Sequence, residues 1–176
     1  MVFFDIIQSY IIKGAIILVI LQTMLLLQDL LYQHTEKAVL EEELSTASFT
    51  FSSDMRQAGY NTTTAFTIAE TSRVKIRFGH IDDNDSDQVE YSLTTMPSSS
   101  KFYLQRTVNN ETPSIVGRNF KKFYLTYYDI AGGPPLDPST IKSISVQAIM
   151  ENDKQFYGDY LRSSWQAQIF PPSINK

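Results

Sequence analysis

The strongest constraint on this chain is a run of apolar residues near its N-terminus. Between Ala15 and Leu27 only Gln22 and Thr23 are polar, and Phe3, Phe4, Ile6, Ile7, Ile11 and Ile12 before it and Leu30, Leu31 and Tyr32 after it extend the apolar character. A stretch of this length is enough to span a bilayer. From Thr35 the composition turns polar, yet Leu40, Leu44, Ala47, Phe51, Met55 and Ala58 recur at steps of three and four, which marks one face of a helix. Gly59 follows, and a glycine just past the last periodic residue closes a helix in the left-handed conformation. The pattern predicts one helix through the first sixty residues, roughly 85 Å long at ~1.5 Å per residue. Its first part, residues 1–34, reads as a hydrophobic transmembrane segment and its second, residues 35–59, as the amphipathic helix of a head domain over 60–176.

About 116 residues remain after the helix, enough for one small domain with its own core. There the period changes from 3.6 to 2. Val74, Ile76 and Phe78 alternate with Arg73, Lys75 and Arg77, and Val89, Tyr91 and Leu93 alternate with Glu90, Ser92 and Thr94, which predicts a hairpin with one buried face. Further strands are expected from Phe102 and Leu104, from Phe123 to Tyr128, from Ser143 to Met150 and around Trp165, Ala167 and Ile169. The segment Ala131 to Ser139 holds Gly132, Gly133, Pro134, Pro135 and Pro138 and is read as a surface loop. The fold class expected is therefore α+β, a long N-terminal helix packed on an antiparallel sheet.

Charge and composition narrow the functional classes. With a net charge of −4 the chain lacks the clustered Lys and Arg excess that duplex nucleic acid requires, so no nucleic-acid partner is expected. Without cysteine there is no disulfide framework, thiolate nucleophile or Cys-based zinc site. The histidines are His34 and His80, neither placed beside a nucleophile, so no catalytic residue and no cofactor are expected. The loop Gly79 to Gln88 carries Asp83, Asp85 and Asp87 at alternate positions, a weak calcium pattern. It lacks the glycine and the terminal glutamate of a calcium-binding loop, and a solvated acidic hairpin turn is the expected reading. Arg73, Lys75 and Arg77 read as the outward face of a half-exposed strand.

Asp5 stands out among Phe3, Phe4, Ile6 and Ile7. A carboxylate at mid-membrane costs ~2.5–3.5 kcal/mol on insertion scales and normally has a partner or a water path. The alternative is that residues 1–13 lie outside the membrane core, with Lys13 marking its inner edge. Lys13 precedes the apolar core, whereas Asp29, Glu36, Glu41, Glu42 and Glu43 follow it with Lys37, which favours a cytoplasmic N-terminus.

The segment Asp54, Met55, Arg56, Gln57, Ala58, Gly59, Tyr60, following a membrane helix and an amphipathic continuation, resembles the D-[LM]-R-x-A-G-Y element of PilW-type minor pilins in the type IV pilin and pseudopilin superfamily. Gln88 to Leu93, Asn119 to Asp129 and Ile141 to Met150 are similar to later strands of that family, in the same order. The resemblance implies a subunit of a helical filament whose N-terminal helices bundle in the core while β-rich heads form the surface. It implies as partners copies of the chain or other pilin-like subunits, an inner-membrane assembly machinery, and membrane lipid before assembly. Family members carry a glutamate at the fifth mature position that neutralises a neighbouring free amine. If Met1 is the mature first residue, Asp5 falls there and Met1 supplies the amine; if Lys13 and Gly14 end a leader, Val19 does. No proline stands near Gln22, where many major pilins have one. The expected function is a structural, non-enzymatic filament subunit. The alternative is a bitopic, membrane-anchored envelope sensor or binding protein that does not polymerise.

Overall fold

A computed structural model describes residues 2–60, 65–79, 86–97, 100–156 and 158–171. The chain divides into two compact units, residues 1–38 and 39–176. Helix α1, Val2–Gln57, contributes to both. In the first unit it is long and apolar enough to cross a membrane, and none of that apolar window is buried within the protein. Large apolar side chains from Ile7 to Leu31 stand exposed all round it, as expected of a segment whose surroundings are other than water.

In the second unit the end of α1 packs on a seven-stranded antiparallel sheet in sequential order. The strands are β1 Phe66–Ala69, β2 Arg73–Gly79, β3 Ser86–Thr95, β4 Phe102–Val108, β5 Ser114–Tyr128, β6 Ser143–Phe156 and β7 Asp159–Ile169. A 3-10 turn, Pro138–Thr140, is capped by Asp137, whose side chain accepts from the Ser139 N–H. The Ser139 hydroxyl also donates to Asp137, and these hydrogen bonds, the hydroxyl's foremost, hold the Asp137 carboxyl below its ordinary value. The architecture is α+β.

The alternation seen in the sequence carries into the core. Val74 and Ile76 of β2, Val89 and Tyr91 of β3, Phe123, Leu125 and Tyr127 of β5, and Ile144, Val146, Ala148 and Met150 of β6 are all buried. They face Leu40, Leu44, Ala47, Phe51, Met55 and Ala58, which are buried along one side of α1. Phe51 is the hub. Its ring meets Tyr91, Phe123 and Trp165 edge-on at centroid distances of 4.9, 5.5 and 6.2 Å, the arrangement that ring quadrupoles favour. Helix and sheet come close at Ala47, where a Cβ added to Gly117 would lie 3.3 Å from the Ala47 Cβ and 2.7 Å from the Phe120 ring.

The sheet curls, and its curl is fastened by a turn. Strand β4 meets β5 between Phe102↔Phe120 and Arg106↔Ser114, which leaves the C-terminal part of β5 beyond β4's reach. The β1–β2 turn fills that place: the Leu125 N–H donates to the Thr71 carbonyl at 2.9 Å, and the Tyr127 hydroxyl donates to the Glu70 carbonyl at 2.9 Å.

Several elements differ from the sequence pattern. Strand β3 begins at Ser86, so Asp87 and Gln88 belong to the ladder opposite Phe78 and Arg77 rather than to the loop. Strand β5 extends back to Ser114 through irregular register near Phe120, with Asn119 at φ 58. Strand β6 runs on to Phe156, and β1 is an additional short strand.

The contrast between neighbouring phenylalanines gives a direct test. Phe51 is fully buried while Phe49 is 76% exposed. Phe51→Ala is expected to lower stability by about 3–5 kcal/mol, and Phe49→Ala by no more than about 0.5 kcal/mol. Urea denaturation of the full chain in mild detergent, followed by near-UV circular dichroism, measures both.

Candidate functional site

The element on which the sequence resemblance rests, Asp54 to Tyr60, forms the joint where α1 ends on the sheet. A helix leaves its last carbonyls unsatisfied and needs a residue that turns the chain away. Gly59 does so at φ 76, a conformation that side-chain-bearing residues adopt only at a cost. Its N–H then donates to the Arg77 carbonyl of β2 at 2.8 Å, and the Tyr60 N–H returns to the Gln57 carbonyl. Met55, Ala58 and Gly59 are buried, whereas Arg56, Gln57 and Tyr60 face solvent. The segment thus splits into an inward set that fixes the helix and an outward set open to other molecules.

Asp54 is the polar centre of this joint. It is buried, and its Oδ2 accepts from the Tyr91 hydroxyl at 2.7 Å and from Arg106 Nε at 2.7 Å. Arg106 Nη2 reaches Oδ1 at 3.4 Å. One carboxylate therefore ties α1 to β3 and β4 together. The hydrogen bond to Asp54 pushes the Arg106 guanidinium up, against its own burial. Burial, followed by the Asp54 charge, pushes the Tyr91 phenol up. A buried charge is tolerated where each oxygen is met by donors, as here.

A second polar cluster pins the far end of the sheet. Lys101, just before β4, is buried and its Nζ donates to the carbonyls of Glu151 and Asn152 and pairs with Asp153 Oδ1 at 2.7 Å. Buried Glu151 pairs in turn with Arg162 Nε at 2.7 Å. The Asn152 Oδ1 accepts the Leu161 N–H where the β6–β7 register shifts. Nothing in the local sequence marks this cluster, since Lys101 follows a serine run and its partners lie far along the chain.

Other residues singled out in the sequence fall in separate places. Met1 lies outside the described residues; Asp5 lies within α1, but its side chain is outside them. Asp83 and Asp85 are outside the described residues as well, and Asp87 accepts from Asn109 Nδ2 at 2.6 Å at the start of β3. Among the described residues no group of His, Cys, Asp and Glu is gathered for a metal ion. Arg73 pairs with Glu90 at 2.6 Å and Lys75 with Asn110 at 3.2 Å, so these two bases serve the β2–β3 ladder and its neighbouring turn. A shallow groove of about 250 Å³ is lined by Glu42, Glu43 and Thr46 of α1 and Ile115 to Arg118 of β5. Burial pushes the Glu43 carboxyl up, and Arg118 draws it partly back.

No family model, no curated protein and no solved structure matches the chain.

The joint makes a prediction on pH. Tyr91 and Tyr127 both keep their protons in the fold above the ordinary value of 10.0. The unfolded chain releases those protons first, so stability is fully present below that value and falls as pH rises past it. Tyr91→Phe should flatten this alkaline loss while lowering stability near neutral pH by about 1 kcal/mol. Asp54→Ala should lower it by about 2–3 kcal/mol, less than a fully buried pair because Arg106 keeps part of its side chain in solvent. Urea titrations between about pH 7 and about pH 11 read both effects.

Proposed function

We propose that this chain is a structural, non-enzymatic subunit of a type IV pilus-like filament or secretion pseudopilus, of the PilW-type minor pilin kind. One observation carries the reading: along a single helix, the apolar side chains change from exposed on every side between Ile7 and Leu31 to buried on one side from Leu40 onward. The latter part belongs to the head. The former needs an apolar environment that the chain itself does not supply, and lipid or a bundle of like helices provides one. The same surface then serves before and after extraction from the bilayer.

Further support comes from the joint. The segment Asp54 to Tyr60, which resembles the family element, occupies the position where such an element has a structural task, fixing the helix end to the sheet. In this reading the subunit enters the bacterial inner membrane with its N-terminus on the cytoplasmic side. It assembles with copies of itself or with other pilin-like chains through the inner-membrane machinery, and is displayed outside the cell. Asp5 meets a neighbouring subunit's N-terminal amine, and Met1 is the residue that carries that amine.

Electron microscopy of sheared cell-surface material, with mass spectrometry of the N-terminal peptide, tests the proposal. The chain is expected in filaments with a processed N-terminus; a chain confined to the membrane fraction points instead to a bitopic envelope sensor or binding protein. Within the filament reading, Asp5→Ala should reduce incorporation on the order of tenfold, the equivalent of ~1.4 kcal/mol per contact. The midpoint of head unfolding should stay unchanged. Wild-type incorporation of this variant would sink the amine pairing.

A further inference from the structure

The two edges of the sheet are built differently. β1 is four residues long, has a register shift and lies against the 3-10 turn Pro138–Thr140. Short length, irregular register and cover are the devices that keep an edge from pairing with another chain. β7 shares one of them, a register shift in its pairing with β6 between Glu151 and Gln155, confined to the hairpin end of the strand. It is 11 residues long, contains no proline, and among the described residues pairs only with β6.

The direction of its free hydrogen-bonding groups follows from one contact. The Leu161 N–H points to Asn152 on the β6 side, and backbone groups alternate along a strand. The N–H and C=O groups of Tyr160, Arg162, Ser164, Gln166 and Gln168 therefore face away from β6, and among the described residues no backbone partner meets them. The sole charge in this set is Arg162, already paired with Glu151. On the core side, Leu161, Trp165 and Ala167 of β7 stay only half-buried, whereas Ile144, Val146, Ala148 and Met150 of β6 are fully covered.

We infer that β7 is an interaction edge that pairs antiparallel with β7 of a second copy of this chain. Main-chain groups of this kind are satisfied by an extended strand, and the edge is self-complementary. Centred on Ser164, the pairing sets Arg162 against Gln166 and Tyr160 against Gln168, so no charge meets its like. Arg162, already paired with Glu151, is the one charge that a foreign strand would meet on this edge. The added strand also covers Trp165. This contact belongs to the head and is separate from any association through α1.

Trp165 is the chain's single tryptophan and the chain has no cysteine, which makes both a spectroscopic and a chemical test clean. In full-length protein in mild detergent, Trp165 emission is expected to shift to the red on dilution as the pair separates. Ser164→Pro removes an N–H on the free edge and none from the β6 ladder; it should abolish the concentration dependence and leave the denaturation midpoint in place. Under mild oxidation Ser164→Cys should form a covalent dimer, since opposed Cα atoms in such a pair lie about 5.5 Å apart, whereas Thr67→Cys on β1 should not. Adding Gln166→Pro to Ser164→Cys should abolish the cross-link. The cross-link decides the matter: its absence at position 164, equal yield at position 67, or survival in the proline variant overturns the inference. Capture of a different chain by the Ser164→Cys variant, in place of its own copy, overturns the choice of partner.

Discussion

The burial of Phe51 against three aromatic rings is the interaction on which the rest of the head depends. Its neighbours come from β3, β5 and β7, so a single side chain from the helix registers strands from across the whole sheet. The remaining stripe residues repeat this along the helix axis, and Gly117 allows the helix to approach closely enough for them to do so. Asp54 adds direction to an otherwise non-directional contact, because its carboxylate accepts donors only from where Tyr91 and Arg106 stand. Apolar packing supplies the free energy, and the polar joint selects one rotation of the helix.

The same helix is under a different constraint toward its N-terminus. A stripe is sufficient where one side faces a sheet and the other faces water, but the segment from Ile7 to Leu31 is apolar all round. This composition is compatible with a membrane anchor, whose circumference is withdrawn from water. The transition from encircling to one-sided apolarity lies between Tyr32 and Leu40, where Gln33, His34, Thr35, Glu36 and Lys37 intervene. The chain's division at residue 38 falls in the same region.

The sequence revealed those features whose periodicity was unbroken. The steps of three and four from Leu40 to Ala58 named the buried face of α1, and the alternation in Val74 to Ile76, Phe123 to Tyr127 and Ile144 to Met150 named the face opposite it. What stayed hidden was irregular or distant. The first half of β5 was obscured because Gly117 and positive-φ Asn119 interrupt its alternation, and β1 is too short to display a period. Asp54 could be noticed as the first residue of the segment that ends the helix at Gly59, but its partners lie 37 and 52 residues away and carry no local sign of the pairing. The Lys101 cluster was hidden for the same reason, since a buried lysine looks like any other until the carbonyls that receive it are in place.

The turn that fastens the sheet's curl also bears on how the head is made. The bond from Leu125 to Thr71 closes a long segment of chain, and its entropy is recovered only after the strands between have formed. The turn is therefore a fastener of long reach: it holds the part of β5 that β4 leaves open, whereas the pairings of β2 with β3, β3 with β4 and β4 with β5 are each local in the chain. Without that contact, the Leu125 N–H of β5 would lack its backbone acceptor in the middle of the sheet.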